Sequence, residues 1–303
     1  MNASSIDRAP VQAGQSNLSL SRLGWGMWRL KGGDPRAALA LAEAALDAGM
    51  TLFDTADIYG PDNGEPFGAA EALFGEALAL APNLRSRITL ASKGGIVMGV
   101  PYDSSAGYLV AACEASLKRL RTDVIDLYQI HRPDLLAHPA EVAAALDRLR
   151  RDGKIREAGV SNHTPAQTAA LEAHLPFKLA SIQPEFSALA IGALEDGTLD
   201  QAMARGLAVL AWSPLAQGRL ASPPDDPRAR RVVAALDAIA AAQGVDRTAV
   251  ALAWVLAHPS RPIAIVGSQS ASRIGASAAA FDVRLTRADW YAILVAARGA
   301  PMP

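Results

Sequence analysis

Short apolar runs alternate with helical stretches along most of this chain, and this alternation limits the possible folds more than any other feature. Runs of strand length lie at residues 23–28, 51–54, 87–93, 124–131, 155–161, 179–183, 207–212 and 262–267. Helical stretches lie at residues 37–48, 69–81, 104–121, 140–151, 164–174, 198–205, 228–243, 248–258, 270–280 and 287–297. Strands that alternate regularly with helices pair in parallel, and eight such units close into a barrel.

We therefore predict an α/β protein, a single (β/α)8 TIM barrel domain that covers residues 1–303. The stretch 18–28 predicts an N-terminal hairpin or lid before the first core strand, and the stretches beyond residue 267 predict extra C-terminal helices. A length of 303 residues leaves one or two domains open, but no linker or break in composition divides the chain, which favours one domain. A doubly wound open sheet is the alternative, but no Gly-x-Gly-x-x-Gly follows an early strand.

Composition and charge argue against several classes of partner. The formal net charge is −1 and no run of like charges occurs, so there is no electrostatic reason to expect nucleic acid or an anionic membrane as partner. One cysteine, Cys113, excludes a disulfide within the chain and favours a reducing compartment. The first twenty residues lack the apolar core of a signal peptide, and no apolar window approaches membrane-spanning length. We expect a cytoplasmic protein.

Polar residues stand at the predicted carboxyl ends of seven successive strands, which is where a barrel carries its reactive groups. In chain order they are Asp54, Lys93, His131, Ser161 with Asn162, Gln183, Trp212 with Ser213, and Gly267 with Ser268. A lysine at a buried strand end needs a negative neighbour or loses its proton. Adjacent strands would place Lys93 beside Asp54, and Tyr59 lies on the loop that follows the Asp54 strand.

Other chemistries have weaker support. Taken alone, His131 also fits a structural histidine. The remaining histidines show no metal-ligand spacing with carboxylates or with the cysteine, and no Gly-x-Ser-x-Gly nucleophile motif occurs. A metal site or a serine nucleophile is therefore not expected.

Five motifs together carry a family resemblance. They are Phe-Asp-Thr-Ala-Asp-Ile-Tyr-Gly at residues 53–60, Ser-Lys-Gly at 92–94, Leu-Tyr-Gln-Ile-His-Arg-Pro at 127–133, Gly-Val-Ser-Asn at 159–162 and Trp-Ser-Pro-Leu at 212–215. In this order and at these separations the chain resembles the aldo/keto reductase superfamily, from Gly24 to beyond Arg273. His-Arg-Pro-Asp at residues 131–134 is similar to a bacterial oxidoreductase branch of it.

The resemblance implies a (β/α)8 barrel that binds NAD(P)H across its carboxyl mouth and reduces aldehydes or ketones to alcohols. It implies that Tyr59 is the general acid that protonates the carbonyl oxygen as hydride arrives from nicotinamide C4. Lys93 would stabilise the phenolate and make proton donation easier, and Asp54 would keep Lys93 charged and oriented. His131 would donate to the substrate oxygen. The substrate is expected to be a small carbonyl compound with an apolar part.

The resemblance also implies a cofactor site. Ser161, Asn162 and Gln183 would hold the nicotinamide carboxamide, and Trp212 would stack on the ring. The remaining implied cofactor residues are Gly26, Met27, Trp28 and Asp54 at the mouth, Ser213, Pro214, Leu215, Gln217 and Gly218 around the pyrophosphate, and Gly267, Ser268 and Arg273 near the adenosine phosphate.

Two departures from the family pattern concern the choice of cofactor. Gly267 stands where many members have lysine, and Ala276-Ser277 where many have Glu-Asn, which removes a cation and two adenine contacts. NADPH is expected because Arg273 and Ser268 are present, and use of NADH stays open. Two other functions also stay open: a cofactor-binding regulatory barrel with little turnover, and a metal-dependent hydrolase built on Asp54 and His131. The oligomeric state is not predicted.

Overall fold

Eight parallel strands form a closed barrel in the computed structural model, which describes residues 4–224 and 226–303. Each strand pairs with its neighbours in chain order, and the last pairs with the first. The strands are β1 (Leu23–Gly26), β2 (Leu52–Asp54), β3 (Thr89–Gly94), β4 (Ile125–Ile130), β5 (Ile155–Ser161), β6 (Ser181–Gln183), β7 (Ala208–Ala211) and β8 (Ile263–Val266). The predicted fold class is confirmed.

Helices surround the barrel. They are α1 (Pro35–Asp47), α2 (Ala69–Leu80), α3 (Ala106–Leu120), α4 (Pro139–Arg151), α5 (Pro165–Glu172), α6 (Gly192–Glu195), α7 (Thr198–Arg205), α8 (Pro227–Gln243), α9 (Arg247–Leu256), α10 (Ala271–Ala276) and α11 (Arg287–Arg298). Their starts follow capping chemistry: Asp34 accepts a hydrogen bond from the Arg36 amide at 2.9 Å, and Pro35 takes the first helical position, where its missing N–H costs nothing.

An N-terminal hairpin closes the amino-terminal end of the barrel, as predicted, but it begins earlier in the chain than the stretch 18–28. It pairs Val11–Gln12 with Ser19–Leu20, and Leu23–Gly26 is already β1. Ala13 and Leu20 of this hairpin are fully buried against inward-facing residues near the strand starts, including Leu52, Leu127 and Ile263. The amino-terminal end of the barrel is therefore filled with apolar side chains, and the polar strand ends lie at the opposite, carboxyl end.

Two small sheets were not predicted. Ile96–Val97 and Val100–Tyr102 form an antiparallel hairpin in the loop after β3, and Ser4–Ser5 pairs with Arg284–Leu285 near the C-terminal helix. The extra C-terminal helix is confirmed in α11, which packs on α8. The assignment of residues 1–303 to one domain stays a prediction.

No single helix in the described ranges is long and apolar enough to cross a membrane. Helices α8 and α9 reach that length and apolarity only as a pair, and they are bent by 104° relative to each other.

Candidate active site

The buried ammonium of Lys93 is the centre of the candidate site. Its Nζ donates to Asp54 Oδ2 at 2.7 Å and to the Thr55 carbonyl oxygen at 2.8 Å. The third contact is with the Tyr59 hydroxyl, 3.1 Å from the same nitrogen. An ammonium has three N–H donors, so every donor has a partner, as a fully buried cation requires.

Tyr59 reaches Lys93 because the chain folds back over β3 directly after β2. The amide of Asp57 donates to the carbonyl oxygen of Lys93 at 3.0 Å, which fixes the loop against the strand. Gly60 then completes the turn. A Cβ at this position would lie 1.9 Å from the Pro66 carbonyl oxygen, so only glycine fits.

The second carboxylate oxygen of Asp54 is also bonded. Gln183 Nε2 donates to Asp54 Oδ1 at 3.0 Å, and Gln129 Nε2 lies 3.5 Å from the same atom. The carboxylate therefore accepts hydrogen bonds from β3, β6 and β4 while it is almost completely buried. The carboxylate is thus held in place by donors from three strands, one of which is the Lys93 ammonium.

Burial and the neighbouring charges act in opposite directions on the pKa of Lys93 and, through Lys93, on the pKa of Tyr59. Burial alone would lower the pKa of Lys93, but the charges of Asp54 and Tyr59 outweigh it and raise that pKa above its ordinary value. For Tyr59, burial raises the pKa above the ordinary 10, and Lys93 opposes this increase without cancelling it. The expected lowering by Lys93 is thus present, but the burial of the phenol dominates.

His131 lies directly beside the phenol. Its ring centroid is 5.8 Å from that of Tyr59, with the rings nearly perpendicular at 78°. Burial, followed by the positive charges of Lys93 and Arg132, holds the pKa of His131 well below 6.5. The imidazole is therefore neutral at pH 7. Its Nδ1 is buried and has no hydrogen-bond partner among the residues that the structure describes.

The residues predicted to hold the carboxamide form one network beside His131. Ser161 Oγ donates to the Gln183 carbonyl oxygen at 2.9 Å, and Asn162 Nδ2 donates to Ser161 Oγ at 2.8 Å. Trp212 Nε1 completes it by donating to Asn162 Oδ1 at 2.9 Å. Asn162 has φ 56°, a left-handed conformation that asparagine tolerates better than most residues. The chain therefore turns at Asn162, directly after β5.

The loop after β7 forms a tight turn at the carboxyl end of the barrel. Ser213 and Gln217 adopt left-handed conformations with φ 51° and 58°, and the turn between them contains Pro214 and Leu215. Gly218 has φ 99°. Arg29, from the loop after β1, donates to the Gln217 carbonyl oxygen at 2.9 Å and so joins the two loops.

The predicted phosphate residues gather after β8. Arg273 is the third residue of α10, and its Nε donates to Ser268 Oγ at 3.3 Å. It makes no ion pair with any carboxylate of the described residues. Trp25 Nε1 donates to the Ser268 carbonyl oxygen at 3.1 Å, and Gly267 directly precedes Ser268. The Arg273 guanidinium is therefore available to an anion.

The three predicted residues at the end of β1 differ in accessibility. The Gly26 carbonyl oxygen accepts from Gln269 Nε2 at 3.4 Å, and the half-buried Trp28 donates through Nε1 to Asp62 Oδ2 at 3.0 Å. The side chain of Met27 is fully buried, and its amide bonds the Asp54 carbonyl oxygen at 2.9 Å. Met27 packs in the core, and a cofactor role for it stays a prediction.

No group of three or more His, Cys, Asp or Glu side chains is arranged to hold a metal ion in residues 4–224 and 226–303. The structure thus offers no observation in favour of a metal-dependent hydrolase.

Comparison with known families gives a match to the aldo/keto reductase family over residues 22–296. This chain belongs to that family. The matched range contains all eight barrel strands and every residue of the candidate site, and membership makes the protein an oxidoreductase of a family that acts on carbonyl compounds. A purely regulatory barrel is not favoured.

Individual aldo/keto reductases resemble the chain over nearly its whole length. A "6-dehydroglucose reductase" of Novosphingobium aromaticivorans is 55% identical over 96% of this chain and 96% of its own. A protein with the same name from Agrobacterium fabrum is 38% identical, over 93% and 96%. The solved structure of a glycerol dehydrogenase from Gluconobacter oxydans superposes with a TM-score of 0.82, at 30% identity and 98% coverage of both chains.

Sequence reasoning missed three contributors to this aldo/keto reductase site. Gln129 lies two residues before His131 on β4, so the two-residue period of a strand places both on the same face, and that signal was readable. The backbone carbonyl of Thr55 had no signal, because any residue supplies one. Arg132 was noted only as part of a motif, although its guanidinium carbon lies 5.5 Å from the Trp212 ring centroid.

Proposed function

We propose that this chain is an NADPH-dependent reductase that converts an aldehyde or ketone to an alcohol, with Tyr59 as the general acid. The observation that carries the proposal is the buried contact set of Lys93, which joins the Asp54 carboxylate at 2.7 Å to the Tyr59 hydroxyl at 3.1 Å. When bound, NADPH supplies a hydride from nicotinamide C4. The residues of the chain then have to deliver one proton and hold the reacting oxygen.

Tyr59 delivers that proton. With a pKa above 10 it is protonated at neutral pH, so it is a donor rather than a base. When it gives up its proton, the phenolate is left next to the Lys93 ammonium, and the attraction between them stabilises the charge that develops in the transition state. Asp54 keeps the ammonium charged and in place.

The neutral imidazole of His131 has one N–H donor and one acceptor nitrogen. Its position edge-on to the phenol supports a role in donating a hydrogen bond to the substrate oxygen, which orients the carbonyl toward Tyr59. Because the imidazole stays neutral, it polarises the carbonyl without competing with Tyr59 as proton donor.

The residues of the mouth fit a nicotinamide dinucleotide. The amide and hydroxyl groups of Ser161, Asn162 and Gln183 match a carboxamide, which both donates and accepts hydrogen bonds. The half-buried indole of Trp212 offers a stacking surface, and the loop 213–218 curves where a pyrophosphate would lie. The Arg273 guanidinium, which has no ion pair in the described part of the chain, supports NADPH over NADH.

The names of two relatives suggest the substrate. Both are called 6-dehydroglucose reductase, at 55% and 38% identity. We therefore propose that the substrate is a sugar aldehyde of this kind, a hexose whose terminal carbon is oxidised. The single, buried Cys113 supports a reducing, cytoplasmic compartment.

The test is turnover of purified protein with 6-dehydroglucose, followed as loss of NADPH absorbance at 340 nm and, in reactions without cofactor, as consumption of the aldehyde. We expect turnover that requires NADPH and persists in the presence of a metal chelator. Turnover that continues without a nicotinamide cofactor, or that a chelator abolishes, would contradict the proposal. A panel of ketones and apolar aldehydes assayed in parallel establishes whether a sugar aldehyde is preferred.

A further inference from the structure

Two side chains of opposite charge face the mouth without a hydrogen bond or ion pair to any other described residue. Arg132 follows the proposed catalytic histidine at the end of β4, and Glu185 lies two residues beyond the end of β6. Both are half-buried. Charged groups removed from water usually have protein partners, because unpaired burial costs free energy. Two such groups at the entrance to a reaction centre therefore point to a ligand.

Trp212 brings the pair together. The Arg132 guanidinium carbon stands over its ring, 5.5 Å from the centroid. The backbone of Glu185 forms an isolated parallel bridge with Trp212, and the Phe186 amide donates to the Trp212 carbonyl oxygen. Residues paired in this way project their side chains from the same face of the sheet. Arg132 and Glu185 thus flank one indole, whose Nε1 is bonded to Asn162 in the mouth.

The charges of the pair act on each other and, for Arg132, on the reaction centre. Burial raises the pKa of Glu185, and the positive charge of Arg132 opposes that increase. The same guanidinium contributes to lowering the pKa of His131 and opposes the increase of the pKa of Tyr59. Because Arg132 directly follows His131 and its guanidinium stands over Trp212, a group bound to Arg132 lies close to a carbonyl held by Tyr59 and His131.

The two side chains offer complementary hydrogen-bonding groups. A guanidinium presents five N–H donors in a planar fork, and a carboxylate presents two acceptor oxygens. Together they carry no net charge, so a carboxylate or phosphate attracted by Arg132 would be repelled by Glu185. Hydroxyl groups both donate and accept, and neighbouring hydroxyls on one carbon chain can satisfy both partners.

We propose that Arg132 and Glu185 are the specificity-determining pair that binds hydroxyl groups next to the reacting aldehyde. This assignment rests on the proposed function, and it extends it by naming the residues that select polyhydroxylated carbonyl compounds. Arg132 binds the hydroxyl oxygens as a donor, and Glu185 accepts from the hydroxyl hydrogens.

The probes are D-glyceraldehyde and propanal, which share a three-carbon aldehyde chain and differ by two hydroxyl groups. For Arg132→Met and for Glu185→Gln we expect kcat/KM for D-glyceraldehyde to fall about 10- to 100-fold, the range for a lost hydrogen bond to a charged group. For propanal, which has no hydroxyl groups for the pair to bind, we expect a change of less than about threefold, whereas a general effect of the lost charge on Tyr59 would lower kcat/KM for both substrates. Arg132→Lys should recover part of the loss.

Arg148→Met, on the exposed outer face of α4, is the matched control for loss of a positive charge. The dissociation constant of NADPH should be unchanged in every variant. Equal losses for the two aldehydes would overturn the assignment, and so would a change confined to NADPH affinity, which would make Arg132 a cofactor residue. A wild-type protein inactive on both aldehydes and on 6-dehydroglucose would overturn the proposed function and this assignment together.

Discussion

Gln183 and Asp54, which lie 129 positions apart in the chain, are joined by a hydrogen bond of 3.0 Å from Gln183 Nε2 to Asp54 Oδ1. The other oxygen of the same carboxylate bonds Lys93. One buried carboxylate thus connects the residues proposed to hold nicotinamide with those proposed to deliver the proton. The backbone carbonyl oxygen of Gln183 accepts from Ser161 Oγ at 2.9 Å, so Gln183 belongs to both groups of residues.

The Asp54 carboxylate can be tested by Asp54→Asn, which keeps the shape and removes the charge. Asparagine must turn its NH₂ toward either Lys93 or Gln183, both of which are donors, so one hydrogen bond becomes a donor–donor contact. We expect a loss of about 3–5 kcal/mol in the free energy of unfolding, as for other buried pairs that lose one partner. The measurement is urea denaturation followed by circular dichroism.

The double variant Asp54→Asn with Lys93→Met is the control for this explanation. Without an ammonium there is no uncompensated buried charge, so the double variant should be more stable than Asp54→Asn alone. A single variant that loses less than about 1 kcal/mol, or a double variant that loses the sum of both single losses, would show that the pair does not carry a buried charge.

The proposed general acid is tested by Tyr59→Phe, which removes the hydroxyl and keeps the ring. We expect kcat for aldehyde reduction to fall about 10²- to 10⁴-fold, the usual contribution of a positioned acid. The affinity for NADPH, measured by quenching of tryptophan fluorescence, should stay the same because the hydroxyl touches Lys93 and not the predicted cofactor residues. Unchanged turnover would remove Tyr59 from the mechanism.

The site was predictable where it depends on strand order. Asp54 and Lys93 end neighbouring strands of a parallel barrel, so a pattern of apolar runs was enough to place them together, and the structure joins them at 2.7 Å. The contact between Arg132 and Trp212 was not predictable in this way. It joins the ends of β4 and β7, which are not neighbours, and therefore depends on barrel closure and on side-chain rotamers.

The short hairpin after β3 was not predicted because its own sequence carries little strand signal. The hairpin Ile96–Val97 with Val100–Tyr102 has two and three residues per strand, too few for an alternating pattern to show. Pro101 lies within it, and proline normally argues against a strand unless it lies at a sheet edge, as it does here. The turn relies on Gly99, whose φ of 81° is a left-handed conformation that glycine adopts readily.

Cofactor preference should depend on Arg273. If its guanidinium binds the 2′-phosphate, Arg273→Ala should weaken NADPH binding about 10- to 100-fold and leave NADH binding within about threefold, because NADH lacks that phosphate. Fluorescence titration of both cofactors on wild type and variant measures this. Wild-type protein that binds NADH as tightly as NADPH, or a variant that weakens both equally, would assign Arg273 to a different part of the dinucleotide.

A buried carboxyl group next to the site has an unusual environment. Asp57 is 1% exposed, and neither of its side-chain oxygens has a hydrogen-bond partner among the described residues. Burial and then the charge of Glu71, on α2, raise its pKa to about 8, while Arg119 on α3 and Lys93 on β3 oppose the increase. At pH 7 this carboxyl group is therefore mostly protonated in the folded protein.

Stability should consequently depend on pH through Asp57. An unfolded chain releases this proton near pH 4 and the folded protein only near pH 8, so between these values the folded state holds one more proton and rising pH destabilises it. Asp57→Asn mimics the neutral form. We expect the free energy of unfolding of the variant, minus that of wild type, to increase from pH 5 to pH 8, by at most ~1.4 kcal/mol per pH unit, and to level off above pH 8.

Urea denaturation at intervals of half a pH unit measures this difference, and Asp123→Asn, at an exposed aspartate, should give a flat line. A flat line for Asp57→Asn as well would mean that the carboxyl group is already ionised at pH 5 in the folded protein.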